Sequence, residues 1–265
     1  MNAALEFGIE GIGVWSPELP DWTSAQNILC SNVECAADAA ARPSAAILPP
    51  GERRRAPESV LIALEAAQQA CAMAQREPRD LPHVFASSYG DLAINDYLCA
   101  TLARAPREVS PTKFHNSVHN APAGYWAIAT GCHENSSAVS AGDATFGAGL
   151  LEAALLAHGE SRDVLLCAYD VPASGPLRDV IACRSRFAAA LVLAPSSAHA
   201  VARAKLRVGD GVETLAPVPP LLHASHAGNP AAASLPLLAA LARREPAALR
   251  IAIAPSLNLH LEISF

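Results

Sequence analysis

Residues 138–154 read AVSAGDATFGAGLLEAA. Small and β-branched residues carry the chain out of a strand-like segment into an Ala/Leu series, and one carboxylate, Asp143, stands at the junction. Strand-to-helix turns of this type are where α/β folds mount reactive groups, because the exposed N–H groups of a helix N-terminus favour negative charge. The flanking sequence follows the same alternation. Upstream, FGIEGIGVW (7–15) reads as a strand broken at Ser16-Pro17, and VECAADAAA (33–41) as a helical piece. Pro57 and Glu58 open a long helix through VLIALEAAQQACAMAQ (60–75), with proline in the position where its missing N–H costs nothing. HVFASSYG (83–90) is a buried strand, DLAINDYLCATLARA (91–105) an amphipathic helix, and VSPTKFHNSVHN (109–120) a loop leading into a short helix at AGYWAIATG (123–131). After the strand AVSAG come the helix TFGAGLLEAALLAHG (145–159) and two apolar strands, DVLLCAYD (163–170) and RFAAALVLAP (186–195). ARAKLRVGDG (202–211) is a strand and turn, ASLPLLAALARR (233–244) a helix, and RIAIAPSLNLHLEIS (250–264) a closing strand pair, with the prolines of LAPVPP (215–220) marking a crossing. Near-continuous apolar strands alternating with helices predict an α/β layered sandwich around a mostly buried sheet.

The bulk composition excludes several classes of function. The 265 residues are 51% hydrophobic and 17% charged, so the chain buries a large core. A formal net charge of −6 provides no basic field for nucleic acid. Seven cysteines, at 30, 35, 71, 99, 132, 167 and 183, are an odd number without framework spacing, which fits a reducing cytoplasm. MNAALEFGIEGIGVW lacks the pattern of a secretory leader, and LLEAALLA and FAAALVLA are too short to span a bilayer.

Several residue groups admit a chemical reading beside a plainer one. Asp143 at a helix start also serves simply by accepting backbone N–H bonds, a stabilisation of about 1 kcal/mol. Ser140 in AVSAG (138–142) is one substitution from a G-x-S-x-G nucleophile elbow, and Asp170 followed by His223 or His226 supplies the chain order of a hydrolase triad. His115 and His119, four apart in KFHNSVHN, have the spacing of a helical metal pair, yet no further ligand follows and Pro122 opposes a long helix. Loop hydrogen bonding is the plainer role. Cys132 and Cys167 are thiol candidates, the latter inside an apolar strand that predicts an inert buried group. Arg53, Arg54 and Arg55 form a basic cluster that is either a solvated face or a contact for an acidic partner. No metal or cofactor is expected.

Taken together, SPTKFHNSVHNAPAGYWAIATG (110–131) and AVSAGDATFGAGLLEAALL (138–156) resemble the β-ketoacyl synthase branch of the thiolase-like family. More narrowly they are similar to its short subunits of chain length factor type, found in aryl polyene and related type II polyketide systems. On that pattern Asn120 and Ala123-Gly124 fall on an Asn and Ala-Gly pair, Val139 to Gly142 cover the nucleophile strand, and Asp143 takes the place of the cysteine nucleophile. The resemblance implies a thiolase-like layered sandwich with a truncated second half: a single domain over 1–265, with 1–195 as its first half and 196–265 abbreviated. It also implies that condensation chemistry is lost, because a carboxylate is a far poorer nucleophile toward a thioester than a thiolate. Of the family's two catalytic histidines, the one in a His-Gly-Thr-Gly-Thr motif has no counterpart. The candidate for the other is His226 in Ser225-His226-Ala227-Gly228-Asn229, where the usual preceding lysine is replaced by Leu221 or Leu222.

The implied role is a non-catalytic, cytoplasmic partner of an active β-ketoacyl synthase, meeting an acyl carrier protein through the complex, with Arg53 to Arg55 as docking groups. Position in the family places Thr112, Lys113 and Phe114 near the partner's acyl tunnel and Asn120 at the contact. Phe114 is the gating candidate, with plain core packing as its alternative. The abbreviated half is expected to leave apolar surface for an interface on the order of 2,000 Å² or more. The open alternatives are a hydrolase or malonyl decarboxylase using Ser140, and a scaffold that only docks the carrier protein.

Overall fold

The computed structural model describes residues 4–31, 41–195, 198–214 and 217–265. The helical piece read at 33–41, apart from residue 41, and residues 215 and 216 of LAPVPP lie outside the described residues.

Strand β1 (Leu5–Trp15) is followed by α1 (Trp22–Ser31), the short α2 (Pro50–Arg55), the long α3 (Glu58–Ala74) and β2 (His83–Ala86). Next come α4 (Leu92–Arg104), α5 (Pro111–His115), α6 (Ala121–Thr130), β3 (Ser136–Val139), α7 (Thr145–Glu160), β4 (Val164–Asp170) and β5 (Phe187–Ala194). The chain closes with β6 (Ala202–Val208), α8 (Pro220–Ser225), α9 (Leu235–Arg243), β7 (Ala247–Ala254) and β8 (Leu257–Ser264). Among the described residues, the eight strands form one sheet in the order β3-β2-β4-β5-β1-β6-β8-β7. β2 runs parallel to β3 and β4, and every other pairing is antiparallel.

The centre of the sheet is buried on both faces. VLLCAYD of β4 and FAAALVLA of β5 are buried at every position, as continuous apolar runs require when helices cover both sides. A register shift between Ile9 and Gly11 turns β1 over. Phe7, Ile9, Ile12 and Val14 join the core shared with α7 and α9, while Trp15 joins the one built around α3. The face of β1 toward α3 is stripped to glycine so that the helix backbone approaches closely: a Cβ at Gly13 would lie 1.9 Å from the Ala66 carbonyl oxygen, and one at Gly11 would lie 2.1 Å from that of Ala70.

Three segments differ from the sequence reading. β3 ends at Val139, before Ser140, because its partner β2 offers only four residues to pair with. The backbone then turns through Ala141 and Gly142, whose φ of +56° favours glycine. The supposed loop at 109–120 contains α5, whose N-cap Ser110 hydroxyl oxygen accepts from the Lys113 N–H at 3.4 Å. α6 starts at Ala121, with Pro122 tolerated in its first turn.

The strands after Pro195 extend the same sheet but have helices on one side only. Ala202, Ala204 and Leu206 of β6 point inward toward α9, while Arg203, Lys205 and Arg207 alternate outward. Lys205 pairs with Glu6 at 3.0 Å and Arg207 with Glu262. The outward face of β6 is therefore charged and solvated, while Val208, Val212, Leu221, Leu257 and Phe265 expose apolar side chains elsewhere in this half.

Candidate functional site

Two regions hold the residues singled out from the sequence. The first lies where α7 begins. Thr145, buried, organises the turn: its hydroxyl donates to the Gly142 carbonyl at 2.6 Å and accepts from the Ala141 N–H at 2.9 Å. Asp143 is thereby released from capping. It is exposed, forms no hydrogen bond among the described residues, and faces a groove of about 350 Å³ shared with His223, His226, Gly228 and Asn229. The fold thus brings Asp143 and His226, distant in sequence, to one groove.

His226 is only 2% exposed, and both of its ring nitrogens are engaged. Nδ1 lies 2.9 Å from Ser185 Oγ, and Nε2 lies 3.3 Å from Glu18 Oε2, an ion-pair distance off the line of a hydrogen bond. The ring edge meets Phe187, with centroids 4.9 Å apart. Asn229 ties this group to the sheet, its amide donating to the Ser185 carbonyl at 2.8 Å and to the Asp170 carbonyl at 3.3 Å. Burial alone would raise the Glu18 carboxyl, but the His226 imidazole beside it and the Ser16 hydroxyl, 2.9 Å away, hold it below the usual range.

Asp170 ends β4 in the same neighbourhood. Its Oδ1 accepts from the Ser87 hydroxyl at 2.9 Å, the Ser88 N–H at 3.0 Å and the Tyr89 N–H at 3.4 Å. Burial outweighs these donors and pushes the carboxyl up to about 7. The Ser140 hydroxyl donates to the Ser88 carbonyl at 2.9 Å. The triad anticipated for Ser140 is not assembled: Asp170 is committed to the 87–89 loop, His226 to Ser185 and Glu18, and His223 is exposed. His119 Nε2 sits 2.7 Å from the Ser87 carbonyl, so it serves the loop rather than a metal with His115. Burial raises the thiols of Cys132 and Cys167, which donate to the backbone carbonyls of Leu81 and Ala63.

The second region is a cavity of about 730 Å³ between α2, α5 and α6. It gathers Arg55, Thr112 and Asn120 with Leu48, Tyr125 and Ile128. Lys113 turns instead over the Tyr97 ring, 5.7 Å from its centroid, and lines a separate cavity of about 320 Å³. Phe114 is 67% exposed, which overturns its alternative role in the core. Arg53 donates to the Ser44 carbonyl at 2.8 Å and Arg55 to that of Gly51 at 3.3 Å, while Arg54 is exposed. Leu102, Phe114, Val118 and Ile128, all more than half exposed, stand on or beside α4, α5 and α6, and α6 packs near the edge strand β3.

The sequence reading missed Glu18, Ser185 and the role of Asn229. Each comes from a different segment, and only the Ser16-Pro17 turn before Glu18 carried any local signal.

Residues 26–254 match the family model of the β-ketoacyl synthase N-terminal domain. The chain belongs to the β-ketoacyl synthase family. No curated protein sequence matches it. Among solved structures, it is similar to a chain in a ketosynthase complex with its chain length factor from Xenorhabdus doucetiae. That match has 22% identity and a TM-score of 0.75, over 98% of this chain and 100% of the other. It is also similar to the ishigamide ketosynthase/chain length factor, at 15% identity and a TM-score of 0.76, covering 98% and 99% of the two chains. A Burkholderia phymatum β-ketoacyl synthase matches at 16% identity and a TM-score of 0.60, over 92% of this chain but 71% of its own. The fold is thus the thiolase-like one in a shortened form, and no helix of the described residues is long and apolar enough to cross a membrane.

Proposed function

We propose that this β-ketoacyl synthase family member is a chain length factor, the non-catalytic partner of an active synthase in a type II polyketide or aryl polyene system. The observation that carries the reading is Asp143: a carboxylate, not a thiol, faces the groove at the start of α7. A growing acyl chain has no sulfur there to rest on. His226, the one candidate for a catalytic imidazole, spends both ring nitrogens on Ser185 and Glu18 and has none directed at a thioester carbonyl.

The same reading assigns the exposed side chains on α5 and α6. An interface core is apolar and aromatic with a polar rim, and Phe114, Val118 and Ile128 bordered by Asn120 and Thr112 fit that description. In this assignment Phe114 reaches the partner's tunnel and limits chain length by steric exclusion, and Arg54 and Arg55 meet the acidic carrier protein. The structural neighbours solved as ketosynthase and chain length factor complexes support the partnership.

The test is co-expression with a candidate full-length synthase, followed by purification and mass spectrometry of the product. The expected result is a stable complex, a longer product with Phe114→Ala, and no acyl thioester on any cysteine of this chain. Absence of a complex together with an unchanged product overturns the proposal. If charge reversal at Arg54 and Arg55 abolishes product while Phe114→Ala leaves its length unchanged, the chain is a docking scaffold instead.

A further inference from the structure

The proposed role leaves one constellation unused. Glu18 from the turn after β1, Ser185 from the loop before β5 and His226 from the end of α8 converge in series: carboxylate, imidazole, hydroxyl. We propose that Ser185, His226 and Glu18 form a serine acyl-transfer triad that hydrolyses acyl esters and thioesters reaching it along the groove of His226 and Asn229.

The protonation pattern follows from the partners. A neutral ring with its proton on Nδ1 would aim the Nε2 lone pair at the Glu18 carboxylate, which repels it. The favoured tautomer therefore carries the proton on Nε2, directed at Glu18, and leaves Nδ1 to accept from the Ser185 hydroxyl at 2.9 Å. This is the order of roles in a serine triad, which is recognised by geometry and not by position in the chain. Glu18 is itself fixed, since the Ser16 hydroxyl donates to the same Oε2 at 2.9 Å. Its pair with His226, 3.3 Å long, has the loose alignment found in catalytic hydrogen bonds before substrate closes them. Ser185 is half-buried, and Asn229, whose amide nitrogen lies 3.4 Å from Ser185 Oγ, lines the groove beside His226.

In the reaction, Ser185 Oγ attacks the acyl carbonyl carbon as its proton passes to His226 Nδ1, and Glu18 stabilises the imidazolium. The carbon–sulfur or carbon–oxygen bond then breaks, and Nδ1 returns the proton to the departing thiolate or alkoxide. The acyl group remains as an ester on Ser185. Water attacks this ester as its proton passes to Nδ1, the bond between the acyl carbon and Ser185 Oγ breaks, Nδ1 hands the proton to Oγ, and the carboxylic acid departs. No electrons change hands, and water is the one co-reactant.

The test uses the purified full chain alone, so its outcome is independent of any synthase partner. A fluorophosphonate probe and p-nitrophenyl butyrate are supplied, with intact and peptide mass spectrometry as the readout. The expected result is one phosphonyl adduct on Ser185, absent in Ser185→Ala, retained in Ser140→Ala, and formed at least tenfold more slowly in Glu18→Gln. Circular dichroism confirms that each variant is folded. Because Ser185→Ala is a minimal change, it decides the matter if Glu18→Gln does not fold. A folded wild type that forms no adduct at Ser185, or one whose labelling is unaffected by Glu18→Gln, overturns the proposal and leaves the chain length factor reading untouched.

Discussion

The two halves of the sheet solve the same problem in opposite ways. β1 to β5 are covered by helices on both faces and read as unbroken apolar runs, whereas β6 to β8 alternate, with one face against α9 and the other carrying paired charges. The difference shows that the covering of one sheet changes along its strand order; exposed apolar side chains occur in both halves, Leu102, Phe114, Val118 and Ile128 at α4 to α6 and Val208, Val212, Leu221, Leu257 and Phe265 after β5. The two-faced half has no room to give. A Cβ at Gly13 falls on the Ala66 carbonyl oxygen, and that backbone cannot yield without shifting α3. Gly13→Ala is expected to cost about 3 kcal/mol, a fall in melting temperature of about 6 to 12 °C by calorimetry. Lys205→Ala, on the one-faced half, loses only an exposed ion pair and should stay within about 0.5 kcal/mol of wild type. Comparable losses for both would erase the distinction.

Partner binding separates the two regions at the next scale. If α6 is the interface, Ile128→Asp places a charge at its apolar centre and weakens the complex by about 30-fold, equivalent to about 2 kcal/mol. The monomer's melting temperature should hardly move, since Ile128 is 83% exposed. Arg203→Asp on the solvated strand face is expected to leave affinity unchanged. Titration of both variants against the synthase, by calorimetry or surface plasmon resonance, reads the contrast directly; equal effects would mean that the partner sits elsewhere.

How much of this was legible in the sequence follows the range of the forces involved. β4, β5, α3 and α7 were readable because their burial is written in local periodicity, and β6 and β8 because alternation is equally local. Asp143 was found at a turn whose small residues mark it, yet its release from capping was not, because that depends on Thr145 taking both backbone groups. α5 was missed since five residues set between prolines and histidines carry no helical period. Glu18, Ser185 and Asn229 were out of reach for a different reason. Their association with His226 is made only when the C-terminal segment folds back onto the first half, and no spacing within one segment encodes it.

The junction between the halves provides the last and subtlest comparison. Asp170 belongs to β4, yet its backbone carbonyl accepts from Asn229 beyond α8 and the Ala231 backbone N–H acts on its buried carboxyl, so both parts contact it. Its carboxyl is raised in the folded protein to about 7, against an ordinary value of 3.8. Between those values the native state holds a proton that the unfolded chain has lost, so rising pH favours unfolding until the native carboxyl also ionises. Its stabilising contribution is complete below pH 3.8 and disappears as pH rises through about 7, with a slope of about 1 kcal/mol per pH unit between 5.5 and 6.5. Glu18 runs the other way: its lowered carboxyl contributes above its ordinary 4.5 and loses that contribution as pH falls below it, outside the same window. Urea melts at pH 5.5 and 6.5 on wild type and Asp170→Asn, which cannot ionise, read the Asp170 effect as the difference between the two slopes, since His83, lowered by burial, contributes an opposite slope in the same window to both. A slope identical in wild type and Asp170→Asn would assign the pH dependence to other groups and leave the seam between the halves electrically silent.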